Sequence, residues 1–207
     1  MIAIKSFVLG AAGFALVLTT GVSLAQQPAQ VRVRGTIEKV DGPVLTVLSR
    51  DHQQTYKIKV ADNAAVRGIV KAALADIKAN SFIGVSGMPQ ADGSQKALEI
   101  HIFPEAMRGT GEGHRPWDLV PNSTMTNATV TQQVKGVQGE EITLKYEEGE
   151  KKIVVTPQTV IVTYVSGDKS ELKPGAKIFI AGAQKKDDGT LEAAAISVGR
   201  DGMAPPM

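Results

Sequence analysis

The chain has 207 residues, 43% hydrophobic and 4% aromatic, with 23 Lys and Arg against 21 Asp and Glu and no Cys. That length suits one large domain or two small ones, and the composition excludes a disordered chain and a disulfide-stapled scaffold. A net charge of +2 gives little drive towards nucleic acid, and the missing thiols exclude Cys nucleophiles, Fe–S clusters and Cys-based zinc sites.

Residues 1–25 read as a secretory signal peptide. Lys5 supplies the positive end, residues 7–18 are an unbroken apolar run, and Ser23-Leu24-Ala25 is a small-x-small cleavage site. The run of 12 residues is short beside the ~20 that a membrane span needs. The expectation is a periplasmic mature protein, residues 26–207, with no transmembrane helix after cleavage; retention of the segment as an anchor is the competing reading.

Residues 31–105 read as five short strands. Val31, Val33, Gly35 and Ile37 alternate with polar residues, the period of a half-buried strand. An Asp41-Gly42 turn leads to Val44–Leu48, and a loop leads on to Tyr56, Ile58 and Val60. Ile69–Lys78 places Ile69, Ala73, Leu74 and Ile77 on one helical face. Phe82–Ser86 and Ala97–Phe103 complete the set, joined by the hairpin signal Asp92-Gly93.

Residues 106–123, rich in Gly and Pro, form a linker that holds the only Trp of the chain. Two readings of Trp117 stay open: with Leu119 it plugs a groove between two barrels, or it faces a ligand. Residues 124–201 repeat the first pattern at a spacing of about 95 residues. ADIKANSFIGVSG (75–87) aligns without gaps to SELKPGAKIFIAG (170–182), Leu45-Thr46-Val47 answers Ile142-Thr143-Leu144, and Ile58 and Val60 answer Ile153 and Val155. Residues 202–207 are short and Pro-rich, and are expected to be a disordered tail. The predicted fold is all-β: two tandem small OB-like five-stranded barrels, 31–105 and 124–201, with a short helix in the first.

No nucleophile elbow, zincin helix, P-loop or dinucleotide glycine pattern occurs in the sequence. No enzyme is expected. A binding or scaffolding module for an envelope protein or polymer fits better, with Trp117 and Tyr56 as ligand candidates. Tyr56 sits beside Lys57 and Lys59, the one aromatic–basic cluster of the first unit, but no basic groove accompanies it and nucleic acid is not expected. The alternative is a periplasmic metal-binding accessory. His101 lies on the opposite strand face from Ile100 and Ile102, and together with Met107, Glu112 and His114 it forms a donor set suited to copper or zinc.

The pattern RGTIEKVDG, LTV, YKIKV, LADIKANSFIGVSG, ADG and ALEI, echoed in NATVTQQVKG, ITL, KIVV, ELKPGAKIFIAG and DDGTLEAAAI, resembles a family of exported bacterial OB-like domains of unknown function. The resemblance covers both units and implies a fold without catalytic residues to carry over. GTGEGHRPWDL and STMTNATV are also similar to exported proteins that carry the label metal ABC transporter permease. A permease needs several spans, and residues 7–18 are the one long apolar run of this sequence.

Overall fold

Alternating apolar residues become strands in the order that the sequence predicts. The computed structural model describes residues 30–136 and 139–207; the signal-peptide reading of residues 1–25 falls outside them. The strands are β1 (Gln30–Asp41), β2 (Val44–Ser49), β3 (Thr55–Lys71), β4 (Phe82–Pro89), β5 (Gln95–Ile102), β6 (Gly113–Pro116), β7 (Thr124–Gly136), β8 (Gly139–Tyr146), β9 (Gly149–Val155), β10 (Val160–Ser166), β11 (Lys177–Lys185) and β12 (Leu191–Gly199). There is no α-helix among the described residues, and no helix there is long and apolar enough to cross a membrane.

The helix expected over Ile69–Lys78 is a single 3-10 turn, Leu74–Asp76. Its first residues are instead the end of β3, whose backbone is already taken by β10 on one side and β12 on the other. A matching turn, Lys169–Glu171, sits at the same point of the second repeat. Each is closed by its third residue: Asp76 accepts from the Ala73 amide at 2.8 Å and Glu171 from the Asp168 amide at 3.2 Å.

Strand pairing departs from the tandem expectation. β1 pairs with β2, β2 with β3, β3 with β12, β12 with β11, and β11 returns to β1, which closes a five-stranded barrel. Its strands come from residues 30–71 and 177–199, one group from each repeat. β4, β5, β7, β8 and β9 form a second ring that meets through two residue pairs, Gln95 with Ile153 and Lys96 with Val154. Among the described residues β4 and β5 pair with no strand of 30–71. The boundaries 31–105 and 124–201 therefore delimit sequence repeats but not barrels, because the last two strands of each repeat are exchanged.

The buried residues follow the exchange. Val33, Ile37, Val47 and Ile58 pack with Ile178, Ile180, Ala193 and Ile196 in one core. Ile83, Val85 and Ile100 pack with Ala128, Val130, Ile142 and Ile153 in the other. A third cluster lies between them, Ile69, Val162, Phe179 and Met207, with Trp117 and Tyr164 against it.

β3 and β10 join the two halves. Ile69 pairs with Tyr164, flanked by Gly68 with Val165 and Val70 with Thr163. Under the repeat correspondence this antiparallel register maps onto itself, so a local two-fold axis passes between Ile69 and Tyr164. The two parallel pairings obey the same axis: His101 lies opposite Val162 as Ser197 lies opposite Arg67.

The tail from Gly202 is packed, contrary to the expected fraying. The Gly202 carbonyl accepts from Lys177 at 2.9 Å, the Pro205 carbonyl accepts from Arg50, and the Met207 carbonyl accepts from Arg34 Nε at 2.7 Å. Met207 itself is 1% exposed. Three cationic side chains gathered by distant strands satisfy backbone that a short Pro-rich segment cannot satisfy internally.

Candidate functional site

A cavity of about 310 Å³ lies between the two barrels at the local two-fold. Rows of residues running across the sheets supply its walls. On the first barrel the row is Arg34 on β1, Phe179 on β11, Ser197 on β12 and Arg67 on β3. The equivalent row on the second is Asn127 on β7, Gly84 on β4, His101 on β5 and Val162 on β10. Phe179, Ser197, Arg67, Asn127 and His101 line the space, which Arg32, Arg115, Phe103, Trp117 and Tyr164 enclose.

Gly84 makes room for His101. A Cβ at position 84 would stand 2.1 Å from His101 Nε2 and 2.6 Å from Asn127 Oδ1, so only glycine lets the imidazole lie across β4. Once there, the ring meets Phe103 edge-on at 4.7 Å and Tyr164 at 5.9 Å between centroids. Its Nδ1 lies 2.7 Å from Glu99 Oε1, and both side chains are buried. A histidine–carboxylate hydrogen bond fixes the ring and leaves Nε2 as the free edge.

Three buried polar atoms of the described residues lack partners: Glu99 Oε2, Trp117 Nε1 and Asn127 Oδ1. Trp117 and Asn127 line the cavity, and Glu99 is bonded to His101, which also lines it. Leaving such an atom unpaired costs about 1–3 kcal/mol, so each calls for a partner that the folded chain does not itself supply.

The lining side chains carry charge of one sign. No Asp or Glu lines the cavity, whereas Arg32, Arg67 and Arg115 do. Arg32 stacks on Trp117 at 4.0 Å and Arg115 approaches the same ring at 5.6 Å. Burial and the neighbouring Arg32 charge lower the Arg115 pKa. Asp118 stands outside the lining and pairs with Arg34 at 2.8 Å and Arg32 at 3.5 Å. Burial works against its carboxylate, but the Arg34 hydrogen bond and both guanidinium charges outweigh that and hold its pKa low. Burial, then the nearby Glu99 charge, pushes the Tyr164 phenol well above its ordinary range, so it remains a proton donor.

The residues singled out from the sequence divide between this site and others. Trp117, His101 and Met107 line the cavity. Trp117 packs against the cluster between the barrels and also lines the cavity. Tyr56 lies elsewhere, packed against the first core, with its hydroxyl donating to Gln54 at 2.6 Å.

His114 is turned away from His101. The pairs His101 with Gly84, Gly84 with Asn127, and Asn127 with Gly113 form one row, and His114 belongs to the next, opposite Thr126. Adjacent rows point to opposite faces of a sheet. Thr126 donates its one hydroxyl proton to Gln95 at 2.7 Å, so His114 Nδ1, 2.7 Å away, donates to Thr126. Burial, with Lys151 and Arg115 nearby, lowers the His114 pKa. Among the described residues no three His, Asp or Glu side chains are grouped closely enough to hold a metal ion, so His101, Glu112 and His114 with Met107 do not form the expected copper or zinc set.

Arg67, Arg115, Asn127, Tyr164 and Phe179 escaped the sequence reading. They lie far apart along the chain, Arg115 within the segment read as a linker, and no local pattern groups them. The one available signal was the repeat itself: where it breaks, as at Gly84 against Phe179, the cavity lies.

Comparison with known proteins is limited to one segment of the chain. No curated protein and no solved structure matches it. A family model described as "Domain of unknown function (DUF5666)" matches residues 34–101, a stretch that includes the lining residues Arg67 and His101.

Proposed function

We propose that the protein is a non-enzymatic, exported binding module made of two OB-like barrels, with the cavity between them as its ligand site. The observation that carries the reading is the pair of unpaired buried atoms of Trp117 and Asn127 in the lining of that one space, with that of Glu99 behind His101. A volume of about 310 Å³ is at the lower end of small-molecule sites, which span about 300–1,000 Å³. The ligand of this reading is a small molecule, held by hydrogen-bond donors and aromatic faces.

Trp117 is the only tryptophan, and its emission reports directly on the cavity. A fragment library titrated against the protein should yield compounds that shift that emission and raise the unfolding midpoint. Ala195 lines the cavity from β12, so Ala195→Phe should abolish both responses while the variant stays folded. A library whose hits bind the parent and Ala195→Phe equally would overturn the cavity as the site, and so would a library without hits.

A further inference from the structure

The charge pattern of the cavity names the class of ligand, on the reading that this cavity is the ligand site. The ion pairs of the described residues engage Arg32, Arg34, Arg108 and Arg200, but neither Arg67 nor Arg115. Arg115 donates through Nη1 to the Gly111 carbonyl at 2.6 Å and faces no carboxylate. Two guanidinium groups thus reach a space flanked by Phe179, Tyr164 and Trp117 and lined by no Asp or Glu side chain. An isolated charge brought towards low dielectric is unfavourable until paired. The planar fork of Arg matches a carboxylate through two parallel hydrogen bonds.

Shape and surroundings narrow the anion further. The aromatic faces favour a flat body, and the volume leaves ample room for a single ring with its carboxylate. Glu99, buried directly behind His101, repels a second negative charge and so disfavours a doubly charged phosphate. We propose that the cavity binds a small planar aromatic monocarboxylate, with Arg67 and Arg115 on the carboxylate and the Trp117–Tyr164–Phe179 walls on the ring.

Calorimetry with benzoate and its neutral isostere benzamide tests this on the whole protein. Benzoate should bind about tenfold or more tightly than benzamide, the scale of a charge-assisted hydrogen bond. Arg67→Gln and Arg115→Gln should each remove most of that preference, weakening benzoate far more than benzamide. Arg67→Lys, which keeps the charge and loses the fork, should retain part of it, and it serves if the Gln variant does not fold. Equal binding of benzamide and benzoate overturns the assignment of an anion and leaves the cavity as a neutral site. Benzoate binding that persists in Ala195→Phe overturns the location, and the proposed function with it. Absence of benzoate binding overturns the ligand class alone, since the fragment titration judges the cavity independently.

Discussion

Phe179 and Gly84 hold the same place in the two barrels, and the contrast between them separates what a repeat must keep from what it is free to change. Inside the barrels, like meets like across the two-fold: Ile58 and Ile153, Val60 and Val155, Leu45 and Ile142 are all buried. Close packing penalises a misfit of even one methylene, which holds those positions to aliphatic residues of similar size. On the facing surfaces the rows diverge, Arg34, Phe179, Ser197 and Arg67 against Asn127, Gly84, His101 and Val162. A symmetric frame thus carries an asymmetric site, cationic and aromatic on one wall, with a histidine backed by a carboxylate on the other.

The strongest test of the shared frame is a core truncation in each barrel. Ile58 and Ile153 are both fully buried, and replacing either by Ala should cost about 2–5 kcal/mol. Because each barrel contains strands from both repeats, scanning calorimetry should show one transition that either variant lowers. Two transitions, with only one moved by each variant, would break the exchanged arrangement.

The two walls should respond unequally to truncation at equivalent positions. His101→Ala leaves the buried Glu99 carboxylate without the partner at 2.7 Å, a loss of about 1–3 kcal/mol. Ser197→Ala on the other wall should stay within about 0.5 kcal/mol. Urea midpoints of the two variants compare them directly, and similar values would mean that His101 does not hold Glu99 in place.

The smallest effect is a pH dependence confined to the second barrel. His114 has a lowered pKa in the folded protein through burial, Lys151 and Arg115. The unfolded chain therefore binds the proton more readily, and stability falls as pH drops below about 6.5 towards the folded value. Unfolding midpoints measured down the pH scale should show this step in the parent and lose it in His114→Gln. An unchanged step would assign the dependence to another group.

Much of the frame was legible in the sequence. Alternation marked Val31–Ile37 and Val44–Leu48, the Asp92-Gly93 and Asp188-Gly189 turns fixed their hairpins, and the repeat announced a doubled architecture, because those signals depend on neighbours in the chain. The Asp carboxylates show why: each accepts from an amide two residues on, that of Ser94 or Thr190. Trp117 and His101 were also singled out, one as the lone indole and the other by strand parity.

Tertiary structure alone decided which β-hairpin closes which barrel. A repeat that pairs with itself and one that exchanges its last two strands bury the same apolar faces, so alternation is identical in both. Closure depends on where the linker and β3 carry the chain, and β3 runs on to Lys71 only because β10 and β12 pair with it. The cavity follows from that choice, as does the packing of Met207. Arg67, Arg115 and Asn127 reach it from three strands of different origin, a convergence that no local pattern encodes.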